Sequence, residues 1–200
     1  MEHLRYAGLS HAEQLEVFRT ILKSDPLVWH ALQHARELDL PDWLIVSGAL
    51  YNTVWNALTG KPSGYGIRDI DQFYFDGEDL SNEAEDLAIR NGNRLFGNLA
   101  VPVEIRNQAR VHLWYRQRFG RDCPRYGSSS EALEYFASKT HALGVALDGN
   151  DRLKVVAPFG LEPVFAFRVE PNHALDNCET HMAKAERARA MWPEVTMVPW

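Results

Sequence analysis

At 200 residues, 46% of them hydrophobic, the chain can bury a sizeable core and reads as one domain over residues 1–200. Its formal net charge of −6 argues against indiscriminate binding to nucleic acid or membranes, because both surfaces are anionic. Two cysteines, Cys123 and Cys178, make no disulfide framework, and no stretch approaches the roughly 20 apolar residues of a membrane span. With no apolar signal core in "MEHLRYAGLSHAEQ", a soluble, cytoplasmic protein with free thiols is expected.

The first forty residues form a helical segment. Ser10 followed by Glu13 is a capping-box pattern, and it opens an apolar spacing through Leu15, Phe18, Ile21 and Leu22. Asp25-Pro26 fits an N-cap with proline at the first helical position; the second helix carries Leu27, Trp29, Leu32 and Leu38 until "LPDW" breaks it. His30 and His34 lie one turn apart but lack the glutamate of HExxH, so they read as helix surface.

"WLIVSG", 43–48, reads as a buried strand that ends in glycine. A helix follows, with Leu50, Val54, Trp55 and Leu58 on one face and Gly60 as its stop. "KPSGYG" is expected to be a flexible loop; "LTGKPSG" lacks the upstream glycine of a P-loop. "IRDIDQFYF", 67–75, is a second strand, a helix over 79–97 is anchored by Leu87, Leu95 and Phe96, and "VPVEIRN", 101–107, is a third strand. Residues 108–119 look helical, and "ALGVALD" with "LKVVAP" forms a hairpin around Asp148-Gly149. The tail from Asn177 to Met191 is helical. The fold class is α+β: helices, then strands interrupted by helices.

The chemistry concentrates in the second and third strands. Side chains alternate across a strand, so Asp69 and Asp71 share a face about 6–7 Å apart, with Phe73 and Phe75 continuing it. The simplest geometry has the acids at the open end and the phenylalanines in the core. Two carboxylates this close repel unless a cation joins them, and Mg²⁺ is held through one or two carboxylates plus phosphates and water. The competing reading pairs them with Arg68 or Arg106. Glu104 is a third lone acid in an apolar strand. If the two strands are neighbours, three carboxylates could hold two ions about 3.5–4 Å apart, the arrangement for phosphoryl displacement. Gly48, between a strand and a helix N-terminus, suits an anion.

Other candidates are weaker. Lys139 and Thr140, with His141, either reach a nucleotide's phosphates or form an exposed turn. Trp114 and Tyr115 read first as core packing and second as a base-stacking pair. Arg116, Arg118, Arg121 and Arg125 read as a solvated face.

A strand ending in glycine and a small residue, a helix, a strand with D-h-D and a later strand with a third acid resemble the nucleotidyltransferase superfamily of the DNA polymerase β type. "GALYNTVWNALTG", "DIDQFYFD", "VEIRNQARVHLWY" and "APFGLEPVFAFRVEPN" resemble a bacterial nucleotidyltransferase-like family over roughly residues 40–195. The resemblance implies a small mixed β-sheet flanked by helices, with a catalytic core over 41–120 and a C-terminal α/β extension over 121–200. Ser47, Gly48 and Ala49 would hold nucleotide phosphates; Asp69 and Asp71 would bind Mg²⁺ or Mn²⁺; Glu104 would complete the site. The substrate implied is an NTP, and the acceptor is a small molecule, a protein or an RNA end, with the charge disfavouring RNA. Two features depart from the superfamily pattern: Ala49 replaces the usual serine or glycine, and the gap from Gly48 to Asp69 is longer than is common. Two alternatives stand beside this reading: a catalytically degenerate nucleotide-binding or protein-interaction module, and a metal-dependent DxD glycosyltransferase.

Overall fold

The computed structural model describes residues 2–200. Helix α1 (His11–Ser24) opens on a formed capping box: the Ser10 hydroxyl accepts from the Glu13 amide at 3.4 Å, and the Glu13 carboxylate accepts from the Ser10 amide at 2.9 Å. Helix α2 (Pro26–Leu38) has Asp25 as N-cap and proline in its first turn. Then come β1 (Leu44–Val46), α3 (Gly48–Thr59), β2 (Ile70–Tyr74), α4 (Asn82–Leu95) and β3 (Val103–Asn107). The second half holds α5 (Val111–Phe119), α6 (Ser129–Leu133), the hairpin of β4 (Gly144–Leu147) and β5 (Leu153–Val156), the short α7 (Glu162–Phe165), β6 (Arg168–Val169), α8 (Cys178–Met191) and β7 (Thr196–Met197).

The five-stranded sheet has the order β3-β2-β1-β4-β5. The β2–β3 pair is parallel and the others are antiparallel, so the sheet is mixed. α4 supplies the crossover that a parallel neighbour requires. One sheet face carries Ile45, Ile70, Ile105 and Val145 and packs into the main core with α1, α2 and α3. Here the structure corrects the expected orientation of β2. Its core face is Ile70, Gln72 and Tyr74, whereas Asp71 and Phe73 lie on the opposite face with Leu44 and Val46. The period of two is kept, but the apolar run is apolar on both sides, so alternation could not tell the faces apart. Gln72 is fully buried and neither amide atom has a hydrogen-bond partner among the described residues; nothing in the structure explains it.

The anchors of α4 also differ from those expected. Leu87 is 53% exposed, and Ala88 and Gly92 face the core instead, alongside Phe96, which is buried as expected. A Cβ at Gly92 would lie 2.0 Å from the Ile105 side chain, so absence of a side chain, not presence of a leucine, brings this helix against the sheet.

The C-terminal segment closes on the N-terminal half. Trp192 is buried, its indole donates to Asn56 Oδ1 at 3.1 Å, and it meets Trp55 edge to face. β7 pairs in parallel with β6, and His181 bridges the Ser138 hydroxyl (2.8 Å) and the Val198 carbonyl (2.9 Å). These contacts fix where α8 lies. Both cysteines are free, and among the described residues no helix is long and apolar enough to cross a membrane.

Candidate active site

The turn between β1 and α3 is unusual. Ser47 has φ 57° and ψ −116°, a region that ordinarily takes glycine and costs on the order of 1–3 kcal/mol for other residues. Its amide donates to the Leu143 carbonyl at 2.9 Å, and its carbonyl accepts from Leu50 (2.9 Å) and Tyr51 (3.2 Å). The turn is thus held from both sides, and the first-turn amides at Gly48 and Ala49 point out of the helix end. A Cβ built on Gly48 would meet only Asn52 Nδ2, at 3.9 Å; the room in front of it belongs to a cavity of about 240 Å³.

The loop before β2 is tied down rather than flexible. Asn56 Nδ2 donates to the Tyr65 carbonyl at 2.9 Å, and Arg187 donates to the Gly66 carbonyl at 3.0 Å. Gly66 has φ 74°, and a Cβ there would sit 2.4 Å from the Trp192 ring, so only glycine lets the loop lie on the indole. This contact delivers Asp69 to the mouth of the same cavity.

Register supplies the other two acids. Asp71 is paired with Glu104 across the parallel β2–β3 ladder, so both stand on one face of the sheet. Asp69, Asp71, Glu104, Ser47 and Gly48 all line the one cavity. Burial pushes the Asp71 carboxyl up to about 6; Asp69 and Glu104 add to the rise and Lys184 opposes it. Glu104 lies 3.5 Å from Arg106 in a half-exposed ion pair, while neither Asp69 nor Asp71 makes an ion pair within 4.0 Å among the described residues. No group of three acid, histidine or cysteine side chains among those residues is placed to ligate one ion. The acids therefore share a cavity without forming a three-donor cage. Mg²⁺ ordinarily takes only one or two carboxylates, phosphate oxygens and water completing its shell, and Asp69 and Asp71, free of ion pairs, are the residues that would hold it. The raised Asp71 pKa reports first its burial and only then the neighbouring acids, Asp69 and Glu104.

The far wall belongs to α8 and could not be read from the sequence. Lys184, Arg187 and Ala188, one helical turn of a single face, line the cavity opposite the acids. Lys184 keeps solvent contact; protein crowding around its ammonium lowers its pKa, while Asp71 and Asp69 pull it back. Tyr51 and Asn52 complete the lining, and Asn52 Oδ1 has no partner among the described residues. Tyr51 stacks on the buried His141 at 4.7 Å, and burial raises the pKa of its hydroxyl, keeping it a hydrogen-bond donor.

Lys139 and Thr140 are not brought to this cavity. The Thr140 hydroxyl is buried and spent on the Arg168 carbonyl (2.7 Å) and the Glu170 amide (3.0 Å). Lys139 lines a separate shallow groove with Arg168 and His173. Ala49 is buried, so what the turn offers there is backbone rather than side chain. Of the arginine cluster, Arg116 pairs with Asp122 and Arg121 with Asp176, as expected of a solvated face.

A sequence profile described as "Nucleotidyltransferase" matches residues 33–197. The chain belongs to this nucleotidyltransferase family. No curated protein matches it in sequence. A solved NMR structure, described as revealing a CCA-adding enzyme head domain, superposes with a TM-score of 0.75 at 24% identity, covering 98% of this chain and 100% of the other. At that identity the likeness shows the fold: a mixed sheet flanked by helices, as in a nucleotidyltransferase head domain. Family and fold together support a role in nucleotidyl transfer.

Proposed function

We infer that this nucleotidyltransferase moves a nucleotidyl group from an NTP to a hydroxyl acceptor, with Mg²⁺ or Mn²⁺, and that residues 1–200 act as one domain. The observation that carries the reading is the convergence of three acids and a glycine turn on one cavity also lined by three cations, Arg68, Lys184 and Arg187. Asp69 and Asp71 would hold the metal. When bound, the metal supplies positive charge to the triphosphate and to the leaving pyrophosphate.

The chain's own groups do the rest. Gly48 and Ala49 amides at the α3 N-terminus bind phosphate oxygens, where the helix dipole favours negative charge. Lys184 and Arg187 neutralise the triphosphate from the opposite wall. The acceptor oxygen attacks the α-phosphorus, the bond from that phosphorus to the bridging oxygen breaks, and pyrophosphate leaves. Glu104, beside Asp71 in the ladder, takes the hydroxyl proton and releases it to solvent.

A second reading, a binding module without turnover, is favoured by the absence of a three-donor cage and by the Glu104–Arg106 pair. Glycosyl transfer from a sugar nucleotide leaves Glu104 without a role. Thermal unfolding with Mg²⁺ or Mn²⁺ and each of the four NTPs separates the first two. A ligand at about 100 times its dissociation constant adds about 2.7 kcal/mol. A metal-dependent shift in wild type that is lost in Asp71→Asn, together with pyrophosphate release on adding an acceptor, is the expected result. A shift with no pyrophosphate release for any acceptor favours the binding module. No shift with any nucleotide overturns the transfer reading and favours a module that interacts with protein.

A further inference from the structure

A second cavity, of about 220 Å³, adjoins the first. Phe73, Trp114, Tyr115, Tyr126, Tyr135 and Phe136 make up most of its wall. These rings come from β2, α5, the segment before α6 and the segment after it, and each remains only partly buried. These half-covered rings leave an apolar cavity with no described part of the chain over it.

Its position follows from register. Asp71 pairs with Glu104, and two residues along the same ladder Phe73 pairs with Arg106. The two rows share one sheet face and are about 6–7 Å apart. The first row floors the acid cavity, and the second row floors the aromatic one. Lys184 lines both cavities, its ammonium 5.9 Å from the Phe136 ring centroid. The aromatic cavity is therefore the next pleat along from the acids, with one shared cation at the junction.

The lining also defines what enters. Its charged groups, Arg106 and Lys184, are at the acid end, and Arg106 already faces Glu104. Two amide side chains of the lining are engaged within the protein: Asn177 Oδ1 accepts from the Tyr115 hydroxyl at 3.3 Å, and Gln108 donates to the Arg106 carbonyl at 3.2 Å. A charged occupant would find no ion-pair partner in the lining away from the junction, whereas a flat apolar one would stack on rings. Each cavity alone falls below the roughly 300 Å³ of ordinary small-ligand sites.

We propose that the aromatic cavity is the acceptor subsite and that the acceptor is a small, uncharged, ring-bearing alcohol or phenol whose hydroxyl points past Lys184 toward Asp71 and Glu104. This rests on the nucleotidyl-transfer reading above. In the step, the acceptor's O–H oxygen bonds to the α-phosphorus, pyrophosphate departs with the bridging oxygen, and the proton passes to Glu104. The product is a nucleotidyl ester of the ring-bearing alcohol.

The test uses 2-naphthol as probe, with phenyl phosphate and a short oligoribonucleotide as charged comparators. Binding is measured by titration calorimetry, and transfer by labelled nucleotide appearing on the probe. The expected result is naphthol binding weakened about tenfold by Trp114→Ala and restored by Trp114→Phe. Asp71→Asn should leave naphthol binding within about twofold while cutting transfer by on the order of 10²-fold, and Phe136→Leu serves if the tryptophan variant does not fold. If nucleotides stabilise the protein but naphthol neither binds nor accepts, the subsite assignment is overturned while nucleotidyl transfer stands. If naphthol binds and no nucleotide does, nucleotidyl transfer falls and the acceptor role with it. Tighter binding of either charged comparator overturns the uncharged class.

Discussion

The two ends of β2 both carry acids, and they are treated in opposite ways. Beyond the C-terminal end, Asn107 and Asp76 exchange hydrogen bonds at 2.9 and 3.1 Å, Glu85 accepts from the Asn107 amide at 2.9 Å, and Glu85 forms a buried ion pair with Arg110. Arg110 also donates to the Leu80 carbonyl and to Asn82. At the N-terminal end, Asp69 and Asp71 have no such partners, and Asp71 rises to about 6. One end is a polar network satisfied within the chain, which makes it structural. The other leaves its acids without a hydrogen-bonded or ion-paired partner in the chain, with Lys184 and Arg187 lining the same cavity, which is the arrangement a binding site would need and a strut would not.

Breaking the satisfied end should have the largest effect. Arg110→Ala strands the Glu85 carboxylate in a site where its side chain is only 14% exposed. A loss of about 3–5 kcal/mol in urea unfolding is expected. An unchanged midpoint would show that this network is not a strut. At the open end, Asp71→Asn should cut transfer by on the order of 10²-fold, since even groups that only orient metal ligands cost 10–100-fold. Single-turnover assays at saturating metal measure this.

The same Asp71→Asn change should stabilise the unliganded protein. The Asp71 carboxyl in the native state sits near 6, above about 3.9 for an unfolded aspartate, so the native state holds the proton more tightly. Stability contributed by that proton is complete below about pH 4 and is lost as pH rises through about 6. At pH 7.5 the variant should gain about 1–2 kcal/mol, less than the full shift implies because the carboxyl keeps some solvent contact. The gain should vanish at pH 4, and denaturant titrations at both values test it. Smallest is Ser47→Gly. It relieves the positive φ but adds unfolded-state freedom, for a net gain of about 0.5–1 kcal/mol in thermal unfolding.

Much of the frame was legible because its signals are local. Ser10 with Glu13, Asp25 with Pro26, and Gly60 mark helix ends through contacts within a few residues. That the D-h-D strand and the Glu104 strand could be neighbours was legible from the helix between them; that they pair in parallel, with Asp71 opposite Glu104, was decided by the structure. Which face of β2 is buried was not, because "IDQFYF" has apolar residues on both faces and the choice depends on what packs against each. Lys139 and Thr140 sit at a promising spacing, but their surroundings are set by Arg168 and Glu170, about thirty residues on.

By itself the sequence determined the helix ends, the strand order of acids and the glycine turn, since these depend on backbone preferences and on period within short windows. Only the tertiary structure decided that Lys184 and Arg187 face Asp69 and Asp71, that Gly66 must stay glycine beneath Trp192, and that a row of aromatics continues the row of acids. Those are contacts across as many as 126 positions of chain, from Gly66 to Trp192, and no local propensity encodes them. They arise when the buried Trp192 and the β6–β7 pairing bring α8 back over the sheet.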